Sequence, residues 1–252
     1  MNIKEILINN NLDELNSIQG GKTEHIFNYN RDTGENLYLD EFREKEAKEA
    51  FENGIWTIKF HGSSGFITKE NGELILWERR DIKDKKISQI KIDTRILTID
   101  QINSNTNYTK AIQPALYNSG SKQHNYIFIE ISRTSKKGKD LYCRIETLFS
   151  DVDIIYQSIE YVGKKIQGNE EQFNWNTLEK RHYGIVFHAS VISEIEDKSF
   201  KSLKEMASTV KIEGWIIYHN NKAWKIRMNM LQNKSNCAFD DKEKTDILPF
   251  VY

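Results

Sequence analysis

Three short segments carry residue types able to perform group transfer. The first is Trp56-Thr57-Ile58-Lys59-Phe60-His61-Gly62-Ser63-Ser64-Gly65-Phe66. Residues two apart share one face of a strand, so Lys59 and His61 are expected to point one way while Ile58 and Phe60 point into a core. Gly62 and the small residues after it leave room for another group to approach the backbone. A lysine amine is a nucleophile only when neutral, and at pH 7.4 only about one free lysine in a thousand is neutral. Cations beside it would disfavour the ammonium form and release the nucleophile.

The second segment is Lys211-Ile212-Glu213-Gly214-Trp215-Ile216-Ile217-Tyr218, followed by Ala223-Trp224-Lys225-Ile226-Arg227. Alternation puts Lys211 with Glu213 on one face of the first strand and Lys225 with Arg227 on one face of the second. A hairpin closing at Asn220-Asn221 brings a carboxylate and two cations onto one surface. The third segment, Ser158-Ile159-Glu160-Tyr161-Val162-Gly163-Lys164-Lys165-Ile166-Gln167-Gly168-Asn169, places a lone carboxylate near the end of an apolar strand before a glycine turn. Taken singly, the first two segments fit ordinary solvated strands as well, and the lone Glu160 reads as a capping or solvated residue.

The elements that must position these residues are read from periodicity. Residues 1–17 read as a short helix ended by Gly20-Gly21, and 39–53 as a second helix stopped by Gly54. The period then changes to two. Ile55–His61, Gly65–Thr68 and Leu74–Arg79 read as strands, with Asn71-Gly72 as a tight turn. Tyr126–Arg133, Leu141–Leu148, Ile154–Val162, Tyr183–Ala189, Glu213–His219 and Ala223–Met228 read as further strands. Ser199–Ser208 reads as a helix between strands, and Ser135-Lys136-Lys137-Gly138-Lys139 as a basic hairpin turn. Many strands with few helices between them predict an α+β fold of antiparallel sheets with flanking helices. A single domain is expected over 1–252, with 1–54 a helical lead-in and 229–252 a C-terminal extension.

Composition bounds the function. The 252 residues carry 36 Lys+Arg against 37 Asp+Glu, so any grip on nucleic acid must come from local basic clusters rather than from net charge. Lys83, Lys85, Lys86 and Lys91 form one such stretch, which reads first as a solvated face and second as a contact to a nucleic-acid backbone. Cys143 and Cys237 form no CxxC pair and read as reduced thiols. His25, His124, His182, His188 and His219 show no metal-ligand spacing and read as structural or surface residues. No apolar run approaches a membrane span, and the first residues lack the pattern of a signal peptide. A soluble, cytoplasmic chain with no membrane contact and no obligate protein partner is expected.

Taken in order, the segments resemble the motif series of the covalent nucleotidyltransferases, the superfamily of ATP-dependent ligases and mRNA-capping enzymes. Lys59-Phe60-His61-Gly62 resembles the nucleophile motif K-x-D/H-G, in the His form seen in some RNA ligases. Trp77-Glu78-Arg79-Arg80 resembles the strand whose arginine meets nucleotide or 5′-phosphate groups, with Arg79 and Arg80 both candidates. Glu160-Tyr161-Val162-Gly163, Tyr183-Gly184-Ile185-Val186-Phe187, Glu213-Gly214 and Lys225-Ile226-Arg227 resemble the later motifs in sequence. Arg227 stands where the superfamily most often has lysine, and it keeps the charge without lysine's capacity to exchange a proton. The likeness is greatest to the small vertebrate-type 5′-3′ RNA ligases and their microbial relatives, and it covers about residues 55–230.

The resemblance implies a nucleotidyltransferase domain of ATP-grasp-like form that takes ATP with Mg2+ or Mn2+ and seals RNA carrying 5′-phosphate and 3′-hydroxyl ends. It implies that Lys59 is the nucleophile, with Lys225 and Arg227 acting on the phosphates. His61, Gly62, Arg79 or Arg80, Glu160, Phe187, Glu213 and Lys225 would hold the nucleotide. Glu213 would meet the metal, Glu160 the ribose hydroxyls, and the Phe187 ring the adenine. DNA ligases and capping enzymes would carry an oligonucleotide-binding barrel after the last motif. The 25 residues following Arg227 are too few for a five-stranded barrel, so a minimal RNA ligase is expected. The rival readings are a nucleotidyltransferase with a non-RNA acceptor and a catalytically silent RNA- or nucleotide-binding module.

Overall fold

The computed structural model describes residues 23–30, 36–70, 72–82, 96–98, 108–112, 117–119, 122–150, 156–163, 166, 183–188, 192–210, 212–220 and 222–232. The expected helix at 1–17, Lys83 to Lys91, His182, Lys211 and Cys237 lie outside the described residues.

The chain begins with β1 (Glu24–His25), β2 (Phe27–Tyr29), β3 (Tyr38–Phe42) and α1 (Lys45–Asn53). Next come β4 (Ile55–Lys59), β5 (Ser63–Glu70), β6 (Glu73–Ile82), β7 (Ile96–Thr98), β8 (Tyr108–Ile112), β9 (Tyr117–Ser119) and β10 (Lys122–Ile131). They are followed by α2 (Lys136–Leu148), β11 (Tyr156–Val162), β12 (Gly184–Phe187) and α3 (Phe200–Thr209). The last elements are β13 (Gly214–His219), β14 (Lys222–Arg227) and α4 (Met228–Leu231).

Two sheets dominate. The small one has the order β1-β14-β13-β4, and the large one runs β12-β11-β5-β6-β10-β8-β7 with β9 beside β10. A separate pair joins β2 to β3. Every pairing is antiparallel except β1 with β14. The expected α+β architecture of antiparallel sheets is therefore present, with no closed barrel among the described residues. No helix among them is long and apolar enough to cross a membrane.

Each sheet buries one face under helices. On the small sheet Trp56, Trp215, Ile217, Trp224 and Ile226 join Ala47, Ala50 and Phe51 of α1 and Leu203 of α3 in one core. On the large sheet Ile67, Leu76, Ile159, Tyr161, Ile185 and Phe187 pack with Leu141, Tyr142 and Ile145 of α2 and with Phe149 just beyond it. The buried indoles keep partners: Trp56 Nε1 donates to the Phe51 carbonyl at 3.2 Å, and Trp215 Nε1 donates to Ser193 Oγ at 3.2 Å.

Three expected elements differ. Residues 39–42 belong to β3, because Phe42 and Tyr38 pair with Phe27 and Tyr29, and that pairing overrides good helix formers. Leu141–Leu148 is helical: Leu141, Tyr142 and Ile145 are buried with Phe149, a spacing of one helix face, whereas alternation would have buried Cys143, which is exposed. The basic stretch Ser135–Lys139 is the start of that helix, where the Ser135 side chain caps by accepting from the Gly138 amide at 2.9 Å.

Candidate active site

The unburied face of the small sheet follows from its register. Lys59 pairs with Gly214, which pairs with Arg227; Thr57 pairs with Ile216, which pairs with Lys225. Cross-strand partners share a face. Lys59, Lys225 and Arg227 therefore stand together, with the core tryptophans on the opposite side. The expected strand to His61 ends at Lys59, and His61 sits partly buried in the turn to β5.

Glu213 precedes β13 and closes this cluster. Its Oε2 contacts Lys59 Nζ, and its Oε1 lies 3.6 Å from Arg227 Nε. Gly214 supplies the bend: its φ is +155°, and a Cβ there would overlap the Ile226 carbonyl oxygen on the neighbouring strand. The Glu213 carbonyl accepts from the Met228 amide at 2.9 Å, fixing the backbone behind the carboxylate. Arg227 is tied from its own side. Its amide donates to the Tyr38 hydroxyl at 3.1 Å, and that hydroxyl is 2.6 Å from His25 Nδ1. Among the described residues the buried Arg227 Nε has no hydrogen-bond partner, and its nearest counter-charge is that Glu213 oxygen.

Lys225 shows what this concentration of charge does. Burial pulls its amine down to about 7, and Lys59, Arg227 and Arg79 push the same way while Glu213 opposes them. Near neutrality it is therefore half charged, where an ordinary lysine is fully charged.

The large sheet brings the remaining residues to the same place. Ser64 pairs with Glu160, and Phe66 pairs with both Ser158 and Trp77, so Glu160, Ser158, Trp77 and Arg79 share one face of that sheet. Arg79 is half-buried, and its charge reaches Lys225. Of Arg80 the structure describes the backbone, which pairs with Ile127. Glu160 is buried against the turn that follows Lys59: a Cβ on Gly62 would overlap the Tyr161 carbonyl oxygen and stand 2.7 Å from Glu160 Cγ and 3.1 Å from its Oε1. Only glycine permits that approach. Glu160 also acts on the Tyr218 hydroxyl of β13, which burial raises well above its usual range and the carboxylate raises further. The two sheets thus converge around residues 59–62.

Phe187 is a correction. It pairs with Ile159, not with Glu160, so its ring lies on the helix-covered face of the large sheet. It is fully buried and meets Phe149 edge-on at 5.7 Å between ring centroids. An aromatic surface for adenine is therefore not supplied by Phe187, because the β11–β12 register turns it into the core. Val186 is the residue that pairs with Glu160.

No protein-family model matches the chain, and no curated protein matches it.

Two of these residues escape sequence reading. Tyr38 is a single aromatic in apolar context with no marking pattern. His188 Nε2 lies 2.8 Å from Glu160 Oε2, yet the two are 28 positions apart, so no local spacing signals the contact. Among the described residues no group of three or more His, Cys, Asp or Glu could hold a metal ion. Glu213 offers a hard oxygen ligand in contact with the cations. That donor set does not cage a metal, but it suits Mg2+ arriving with phosphates, which is commonly held by one or two carboxylates plus substrate oxygens.

Proposed function

We propose that this chain is an ATP-dependent RNA ligase of the covalent nucleotidyltransferase type, with Lys59 as the nucleophile. The observation that carries the reading is the single face shared by Lys59, Lys225 and Arg227, closed by Glu213 and adjoined by Glu160 at Gly62. Three cations around one carboxylate make an anion site. A lysine that can leave its carboxylate partner there becomes a nucleophile facing bound phosphates.

In this reading the Lys59 amine, once neutral, attacks the α-phosphorus of ATP. An N–P bond forms as the bond to the bridging oxygen breaks, pyrophosphate leaves, and the nitrogen releases its proton to solvent. Arg227 and Lys225 face the charge that develops on the phosphates. The half-charged Lys225 gains its proton more readily once those anions arrive, so binding strengthens the local positive field. A divalent cation at Glu213 would supply Lewis-acid charge neutralisation. The AMP then passes to an RNA 5′-phosphate as the N–P bond breaks. The RNA 3′-hydroxyl attacks that phosphate, a phosphodiester forms, and AMP leaves. Phe187 has no part in holding the purine.

The test is incubation of purified protein with α-labelled ATP or GTP and magnesium or manganese, after pyrophosphate treatment to strip any adenylate already present. The expected result is label from ATP that survives denaturing electrophoresis, is acid-labile and base-stable as a phosphoramidate is, and falls at least about a thousandfold in Lys59→Ala. Label from GTP alone would shift the reading to capping chemistry. Adenylate without sealing of RNA ends would point to another acceptor. No label from stripped protein would overturn the ligase reading in favour of a binding module.

A further inference from the structure

Ser158, His188 and Glu160 form a continuous hydrogen-bonded chain on the site face of the large sheet. Ser158 Oγ is 2.5 Å from His188 Nδ1, and His188 Nε2 is 2.8 Å from Glu160 Oε2. The His188 amide also donates to the Ser158 carbonyl at 3.2 Å, so the ring is anchored by backbone and side chain alike. A carboxylate only accepts, which places the hydrogen on Nε2; in the neutral ring Nδ1 then accepts from the Ser158 hydroxyl.

A Ser–His–carboxylate series is also the pattern of a hydrolytic nucleophile, but burial argues against that role here. Ser158 is 4% exposed at the closed end of the chain, and Glu160 is buried as well. The hydroxyl is the anchor, and the carboxylate is the end that faces Gly62 and the turn after Lys59. Glu160 is also divided between two tasks. Its Oε2 is occupied by His188, while its Oε1 lies on the Gly62 side, three residues beyond Lys59. A nucleotide joined to Lys59 through its α-phosphate has its ribose one ester linkage from that phosphorus, within reach of this turn.

We propose that His188 is a positioning residue that, held by Ser158, fixes the Glu160 carboxylate so that it reads the ribose hydroxyls, making His188 a determinant of ribonucleotide over deoxyribonucleotide choice. The proposal rests on the ligase reading and on the ribose role that the motif resemblance implies for Glu160. A carboxylate on a free side chain samples several rotamers, and each bond it makes to a hydroxyl must first order it. A carboxylate already clamped at one oxygen presents the other in a fixed direction, and that pre-organisation is spent only on ligands carrying the hydroxyl.

The experiment measures lysyl-AMP formation from ATP, 2′-deoxy-ATP and 3′-deoxy-ATP on the intact chain, for the wild type, His188→Ala, His188→Gln and Ser158→Ala, with a thermal melt of each. Wild type is expected to prefer ATP. His188→Ala should reduce that preference roughly tenfold, the scale of one hydrogen bond to a charged group, through a raised KM for ATP with little change for the deoxy analogues. His188→Gln, whose amide can still donate to Glu160, should restore most of it, and Ser158→Ala should fall between. An unchanged preference in His188→Ala, or an equal loss for all three nucleotides that glutamine does not rescue, overturns the proposal. Should His188→Ala fail to melt cooperatively, Ser158→Ala decides: an unaltered ratio there overturns it equally. A wild type that labels with none of the nucleotides instead removes the ligase reading beneath it, an outcome distinct from labelling with unaltered selectivity.

Discussion

The small and large sheets meet at residues 60–62 but treat charge in opposite ways. On the small sheet Lys59, Lys225, Arg227 and Glu213 share one face, and the cations outnumber the carboxylate. On the large sheet the two buried carboxylates, Glu78 and Glu160, each keep a partner. Glu78 Oε1 receives Lys137 Nζ at 2.8 Å, with both side chains nearly buried and the ammonium 4.0 Å from the Tyr161 ring centroid, and Glu160 is matched to His188. Mismatched charge leaves a field for a ligand to satisfy, whereas matched charge orients side chains and holds elements together. In the proposed ligase the small sheet then carries the reactive part of the site and the large sheet its rigid wall.

That contrast is open to attack. The strongest blow falls on the small sheet: Glu213→Gln keeps the shape but removes the charge that contacts Lys59 and Arg227. Adenylation should fall by two to three orders of magnitude, about 3–4 kcal/mol in the barrier, with a near-normal melt. Single-turnover labelling reads this, and wild-type labelling in Glu213→Gln would deny the small sheet its reactive role.

On the large sheet the expected loss is one of stability. Lys137→Met leaves the Glu78 carboxylate buried without its ammonium, and removing one partner of such a pair costs about 3 kcal/mol or more. Urea denaturation should show that loss, while labelling per folded molecule stays close to wild type. Labelling that collapsed in the folded fraction would erase the distinction between the two sheets.

The smallest effect sharpens the comparison through pH. Lys225 has a folded-state pKa of about 7 against an ordinary value of 10.5. Between those values the unfolded chain binds more protons, so this residue makes stability rise with pH. Below about pH 7 it is charged in both states, and the full cost of burying that charge is present. Lys225→Met should therefore stabilise the fold most at pH 6, by about 2 kcal/mol after allowance for partial exposure. The gain should shrink toward pH 10. Denaturant titrations of both proteins at pH 6, 8 and 10 measure the difference, and a gain that grew with pH would contradict the placement of Lys225 among the cations.

Much of the small sheet was legible in the sequence because its strands alternate. Ile58 against Lys59, and Trp224 and Ile226 against Lys225 and Arg227, declare which side is buried. The large sheet was less so. In Gly184-Ile185-Val186-Phe187 every residue is buried, and with no polar residue to mark a face, only the register with β11 shows that Phe187 turns inward. The segment 141–148 misled for a related reason: a short apolar run fits either period, and the exposure of Cys143 that decides between them is a tertiary fact. Arg79 was a candidate alongside Arg80, and the structure brings Arg79 to the Glu160 face. His188 was invisible because its meaning lies wholly in partners on another strand.

The pairing of β4 with β13 has a consequence in time. Lys59 is separated from Glu213 by 154 positions in the chain, and at typical rates of synthesis, roughly 5–20 residues per second, its counter-charge follows on the order of ten seconds later. Until then β4 lacks its small-sheet neighbour and Trp56 lacks the Trp215 that it meets at 5.8 Å. Contacts so distant in sequence are slow to form, since loop closure must precede any gain from them. The nascent chain therefore carries all the described large-sheet strands before it carries Glu213, Lys225 and Arg227, and in the proposed ligase the β13–β14 hairpin completes the site only once those strands have been made.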